Sequence, residues 1–181
     1  MVEKIFNLLN EETVNHSRRT ALISSILAEQ ANLPSDIAYE CGLWHDAGKI
    51  RILDIISKNG KLTDEERASV NMHPVYGVNY IEEFYVGEHK KEVMEAAMYH
   101  HKKSDGSGYP QTTAKTDLPL MVQLVGIADC FEALTAKRAY KDGMPFDVAK
   151  NKIFNGECGY FTTEVKYTLE VCFDKICSSL K

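Results

Sequence analysis

The sequence predicts an all-α domain. Apolar residues recur three and four apart along most of the 181 residues, few runs alternate as half-buried strands do, and helix start signals stand at several expected boundaries. The candidate helices run from 11 to 31, with Val14, Ala21 and Ala28 on the apolar side, then 35 to 47, 64 to 72, 75 to 85, 88 to 100, 119 to 137, 145 to 155 and 163 to 178. Thr63 followed by Glu66 reads as a capping box for the third of these. Pro74 and Pro119 suit a first helical position, and Thr162 or Thr163 can cap the last helix. Gly60, Gly87 and Gly156 stand near the stops. The segment HKKSDGSGYPQTTAKTD, residues 101 to 117, breaks the pattern with two glycines, a proline and many small polar residues. It predicts the one long loop, and an ordered loop of that length in a compact domain usually serves a function.

At 181 residues, residues 1–181 read as a single domain. A core of that size needs no metal or disulfide staple, so a metal would be there for chemistry. A composition 44% hydrophobic and 26% charged excludes a disordered chain, a collagen and a membrane protein. The net charge of -5 lacks the basic surface that generic DNA binding needs, so an anionic ligand requires a local positive site. Five cysteines without a Cys-x-x-Cys pair give no disulfide or zinc-ribbon framework, and they read as small apolar residues. The start MVEKIFNLLN lacks the apolar stretch of a signal peptide, and the longest apolar run, residues 118 to 128, is too short to span a bilayer. The expectation is a cytoplasmic protein with no DNA partner and no membrane segment.

Five of the six histidines, His16, His45, His73, His100 and His101, sit where chemistry could use them. Any single one could be a structural imidazole; their company argues otherwise. His45 and Asp46, in HDAGK, end a mostly apolar helix, and a buried carboxylate beside a buried imidazole calls for a compensating cation. Glu12 and His16 lie four apart on one helical face, so both could reach one ion, although an acidic residue near a helix start is also a common solvent-facing feature. Asp129 falls in the apolar stretch QLVGIADCFEAL, where an acid reads as a ligand. Imidazole and carboxylate without thiolate favour Fe or Mn, with Zn or Ni possible.

In order, His16, His45-Asp46-x-Gly48-Lys49, His73-x-x-x-Gly77, His100-His101, Asp105-Gly106-x-Gly108-Tyr109-Pro110 and Asp129 resemble the HD-GYP domains, a branch of the HD metal-dependent phosphohydrolases. The likeness extends to HSRR at 16 to 19, KNGKLTDEE at 58 to 66, ALTAKRAYK at 133 to 141 and the Phe161 region. It implies an HD-domain helical bundle with a long GYP-type loop, two or three divalent metal ions, and hydrolysis of cyclic di-GMP to the linear dinucleotide or GMP. Carried over, it makes His16, His45, Asp46 and Asp129 the ligands of one metal, and His73, His100 and His101 those of a second, with Asp46 bridging. Glu12 matches an acidic position supporting a third metal in some members. Lys49 would touch a phosphate, Arg138 and Lys141 would bind phosphate or guanine, and Gly108 and Tyr109 belong to the loop beside the pocket, which also serves contacts to signalling-protein partners. The implied catalytic residues are Asp46 and Lys49.

The residues depart from the family at three places. Lys102 stands where a Glu usually follows the histidine pair, which either removes a partner that orients an imidazole or offers a cation to a phosphate. Glu132 replaces an Asp and lengthens the reach, and Arg51 and Leu53 can reshape the pocket rim. Two alternatives follow: a phosphohydrolase acting on another nucleotide, and a catalytically weakened metal-binding interaction module. The aromatics Tyr160, Phe161 and Phe173 read as core rather than as a base-stacking platform.

Overall fold

The computed structural model describes residues 6–58, 60–111, 117–137 and 142–181, and the described residues form helices and turns with no strand. Helix α1 (Glu11–Gln30) starts where the Asn10 side chain accepts from the Thr13 amide, with Glu11 and Glu12 in its first turn. It ends as Asn32 takes a left-handed φ of 54° and the Leu33 amide returns to the Ala28 carbonyl at 2.9 Å.

Helix α2 (Ser35–Trp44) is shorter than the periodicity predicts, because the chain tightens after Trp44 into a 3-10 segment, Ala47–Ile52, followed by one turn, α3 (Leu53–Ile56). This tightening places His45 and Asp46 at a helix end. Next come α4 (Asp64–Val70), opened by the expected Thr63–Glu66 capping box, and α5 (His73–Phe84), which starts two residues earlier than predicted with Pro74 in its first turn. Helix α6 (Lys90–Tyr99) precedes the long loop. Helix α7 (Leu120–Thr135) is capped by an extended Pro119, so that proline lies before the first turn rather than in it. Helices α8 (Phe146–Phe154) and α9 (Thr163–Ser179) close the chain, α9 capped by Thr162.

Two apolar clusters hold these elements. One packs Ile23 and Leu27 of α1 against Leu124, Ile127 and Phe131 of α7, Ile153 of α8, and Leu169 and Ile176 of α9. The other joins Cys41 and Trp44 of α2 to Ile81 and Tyr85 around α5, Val93 and Ala97 of α6, and Val125 of α7. Each fully buried Leu, Ile or Phe contributes about 1.5–3 kcal/mol. Helix α1 lies against α2, α7 and α9, while α5 lies across the 3-10 segment and α6. The crossing of α5 is close: a Cβ on Gly48 would overlap the His73 carbonyl and crowd the Gly77 amide.

The cysteine reading holds for Cys41 and Cys172, which are buried, while Cys130, Cys158 and Cys177 are half-buried and free. Phe161 and Phe173 join the first cluster, but Tyr160 is 48% exposed.

Candidate metal centre

Five helices deliver side chains to one point. His16 projects from the second turn of α1, His45 and Asp46 follow the end of α2, His73 opens α5, His100 and His101 follow α6, and Asp129 comes from the middle of α7. His16, His45, Asp46, His73, His100 and Asp129 are all buried. Three sets, His16/His45/Asp129, His73/His100/His101 and His45/Asp46/His100, each hold their donor atoms within 4.8 Å of one another.

The Asp46 carboxylate lies between two histidine groups. Its Oδ2 is 3.2 Å from His16 Nε2 and 3.3 Å from His45 Nε2, and its Oδ1 is 3.2 Å from His73 Nε2 and 3.9 Å from His100 Nε2. Asp129 Oδ1 is 3.1 Å from His16 Nε2 and 3.7 Å from His45 Nε2. The opposite ring nitrogens fix the tautomers. His45 Nδ1 meets the Gly42 carbonyl at 2.6 Å, His73 Nδ1 that of Val70 at 2.7 Å, and His100 Nδ1 that of Ala97 at 3.0 Å. His16 Nδ1 meets the Glu132 carboxylate. A carbonyl or carboxylate only accepts, so every Nδ1 donates, and each neutral ring turns an Nε2 lone pair inward. Lone pairs then face lone pairs: His16 and His45 Nε2 lie 3.2 Å apart, His73 and His100 Nε2 lie 3.3 Å apart, and the buried Asp46 Oδ1 has no hydrogen-bond partner. Ligand atoms bound at ~2.1 Å to one ion lie ~3 Å apart at right angles, so this donor set fits divalent cations.

The electrostatics make the same demand. Burial would depress His16, but the carboxylates of Asp129, Asp46 and Glu132 outweigh it and raise its pKa to about 10. His45 likewise rises to about 9, burial being overcome by Asp46 and Asp129. Burial works against the charged form of Asp46, yet His45, Lys49 and His16 hold its pKa well below the usual 3.8, and His16 and His45 do the same for Asp129. Burial and neighbouring imidazoles push His100 far down, and burial takes His101 to about 3. Without metal, protons on two imidazoles balance the carboxylates, a balance that divalent ions would take over.

Glu132, one of the departures from the family pattern, accepts on its buried carboxylate from His16 at Oε2 and from Arg19 Nε, 2.7 Å away, at Oε1. The sequence reading missed the role of Arg19. Its signal was there, in HSRR three residues after His16, since residues three apart share a helical face. Lys102 is turned to the backbone of the long loop. It is buried, and its Nζ donates to the Gly106 carbonyl at 3.3 Å, bracing the turn of the long loop. Arg51 is exposed and its guanidinium lies 5.6 Å from the centroid of the Tyr76 ring.

Lys49 pairs directly with Asp46 Oδ2. In the loop, Asp105 accepts from the Ser107 amide at 3.0 Å and hydroxyl at 2.7 Å, and Gly108 adopts φ 81° with its Cα against the His101 carbonyl, where a side chain would clash. That turn sets the Tyr109 ring 4.4 Å from the His101 ring. A cavity of about 400 Å³ opens here, walled by His101, Lys103, Tyr109, Asp129, Cys130 and Cys158 among others. Glu12 is exposed one turn before His16, outside the three donor sets. Arg138 and Lys141 lie outside the described residues.

Comparison with known proteins adds to this geometry. A family model described as "HD domain" matches residues 1–156. A 3'3'-cGAMP-specific phosphodiesterase of Vibrio cholerae is 38% identical over 154 residues, 77% of this chain and 28% of the relative. A cyclic di-GMP phosphodiesterase of Thermotoga maritima is 32% identical over 165 residues, 84% of this chain and 43% of the relative. The chain therefore spans less than half the length of these curated relatives. The HD domain of the Listeria monocytogenes phosphodiesterase PgpH superposes with a TM-score of 0.67 at 17% identity, over 99% of this chain and 96% of that one.

Proposed function

The chain belongs to the HD domain family, and on that premise we propose that it is a metal-dependent phosphodiesterase hydrolysing cyclic di-GMP to the linear dinucleotide or to GMP. The observation that carries this reading is the Asp46 carboxylate, which turns one oxygen to each of two inward-facing histidine groups. His16, His45, Asp46 and Asp129 would hold one ion and His73, His100 and His101 a second, with Asp46 shared; Fe or Mn suits the donor set. Glu12 would support a third. When bound, two such ions lower the pKa of a water toward neutrality and neutralise oxygen charge in the transition state. Asp46 is the anion common to both sites. Lys49, which pairs with Asp46 when no metal is bound, would turn its ammonium to a phosphate at the metals and offset its charge. Tyr109 and Gly108 wall the cavity that receives the substrate, and Arg138 and Lys141 would add cations. The exposed edge of the loop around Asp105 is the surface for a signalling-protein partner.

A second reading, 3'3'-cGAMP as the preferred cyclic dinucleotide, is favoured by the 38% identity to a phosphodiesterase named for it. No helix among the described residues is long and apolar enough to cross a membrane. The test is hydrolysis by protein purified anaerobically and loaded with Fe(II) or Mn(II), with products separated by chromatography. Metal-dependent product from cyclic di-GMP, lost in Asp46→Ala, is expected. A higher kcat/KM for 3'3'-cGAMP selects the second reading. Preference for a mononucleotide, or no product with metal confirmed bound, overturns both.

A further inference from the structure

The cavity beside the metal centre contains a cation that the mechanism above leaves unused. Lys103 follows the histidine pair by two residues and lines the cavity with Tyr109 and Asp129. Its Nζ sits 3.7 Å from the centroid of the Phe161 ring, which is itself buried at 5% exposure. The stem of Lys103 runs past Gly159, where an added Cβ would come within 3.3 Å of its Cε. The segment leading into α9 thus shapes a slot for this side chain. Among the described residues its ammonium forms no salt bridge or hydrogen bond, and Asp129 and Asp105 act on it only at longer range. A lysine that is normally mobile is here held by an aromatic face, with its donors left for a ligand.

We propose that Lys103 forms a second anion subsite, which takes the uncleaved phosphate of a cyclic dinucleotide while the metal centre acts on the other. This rests on the phosphodiesterase reading. A cyclic dinucleotide carries two phosphates in one ring. The first is served by the ions and by Lys49, which pairs with Asp46. The second enters a partly enclosed cavity whose described lining holds Lys103 and no other lysine or arginine, and a phosphate desolvated there without a cation is strongly disfavoured; Arg138 and Lys141, assigned above to phosphate or guanine, lie outside the described residues. Lys103 lines the cavity alongside Asp129, whereas Lys49 does not line it, so the two lysines serve different parts of one ligand. An ammonium has three donors and no acceptor, which suits a phosphate.

The test titrates Mn(II)-loaded protein by calorimetry with a hydrolysis-resistant phosphorothioate of cyclic di-GMP, and with the phosphorothioate of GpG, which has a single internucleotide phosphate. Lys103→Gln is expected to weaken the cyclic ligand about tenfold or more and GpG much less, with Lys103→Arg restoring most of the loss. Unchanged affinity for the cyclic ligand in Lys103→Gln, or an equal loss for both ligands, overturns the subsite while leaving the phosphodiesterase reading standing. No binding of either ligand by the unsubstituted protein, together with no hydrolysis, overturns that reading and the subsite with it.

Discussion

Glu132 links His16 to Arg19 through one buried carboxylate, so the imidazole is held in one tautomer with its Nε2 inward. Glu132→Gln keeps the shape but loses the charge that fixes the His16 proton on Nδ1. Metal affinity should fall roughly 10–100-fold, measured by competition with a chelating dye; an unchanged affinity would show that His16 needs no such support. The same cluster sets a pH dependence. His16 and His45 sit at about 10 and 9 in the folded metal-free chain against 6.5 when unfolded, so the stability they add is complete below 6.5 and is lost as pH rises through those values. Asp46 and Asp129, held far below 3.8, add stability above that value and lose it only as pH falls. The metal-free protein should therefore melt highest between these limits and progressively lower toward pH 10. Metal loading should remove the alkaline decline, since cations replace the protons. Melting curves from pH 5 to 10, with and without Mn(II), check both statements.

Among the elements, the pair formed by the 3-10 segment and α5 is the most constrained. The backbone of Gly48 touches that of His73, so the turn after Asp46 and the start of α5 cannot move independently. Gly48→Ala should separate them, cost about 1–3 kcal/mol, and displace His73 from Asp46. Chemical denaturation and metal content measure the two effects, and a variant that retained full metal loading would refute the coupling. This pair also marks where periodicity misled. Apolar spacing continues past Trp44, so the sequence predicts helix through 47, whereas the chain tightens at His45 and only then turns Asp46 inward. The capping box at Thr63 was legible because it is written in local residue types. The early start of α5 was not, because no side-chain cap marks it: Met72 precedes it without a capping hydrogen bond.

For the whole molecule, the two apolar clusters hold the helices, and the buried histidines and aspartates that could hold metal come from helices these clusters pack together. Removing the metals should leave the helical circular dichroism intact. Ions present at about 100 times their Kd add about 2.7 kcal/mol, which corresponds to a fall in Tm of roughly 5–11 °C on chelation. Loss of the helical signal with chelator would instead make the metals structural. The sequence by itself determined the helical class, most helix positions and the seven buried or half-buried donors, because these follow from residue spacing and from residue types that no apolar helix face otherwise keeps. Only the tertiary structure decided how they are used. Asp46 is shared between two histidine groups, Glu132 serves His16 with the help of Arg19, Lys102 turns away into the loop, and Lys103 lies on Phe161, 58 residues along the chain. Those relations depend on distances between helix ends, which are fixed by packing of the two cores and leave no periodic trace in the chain.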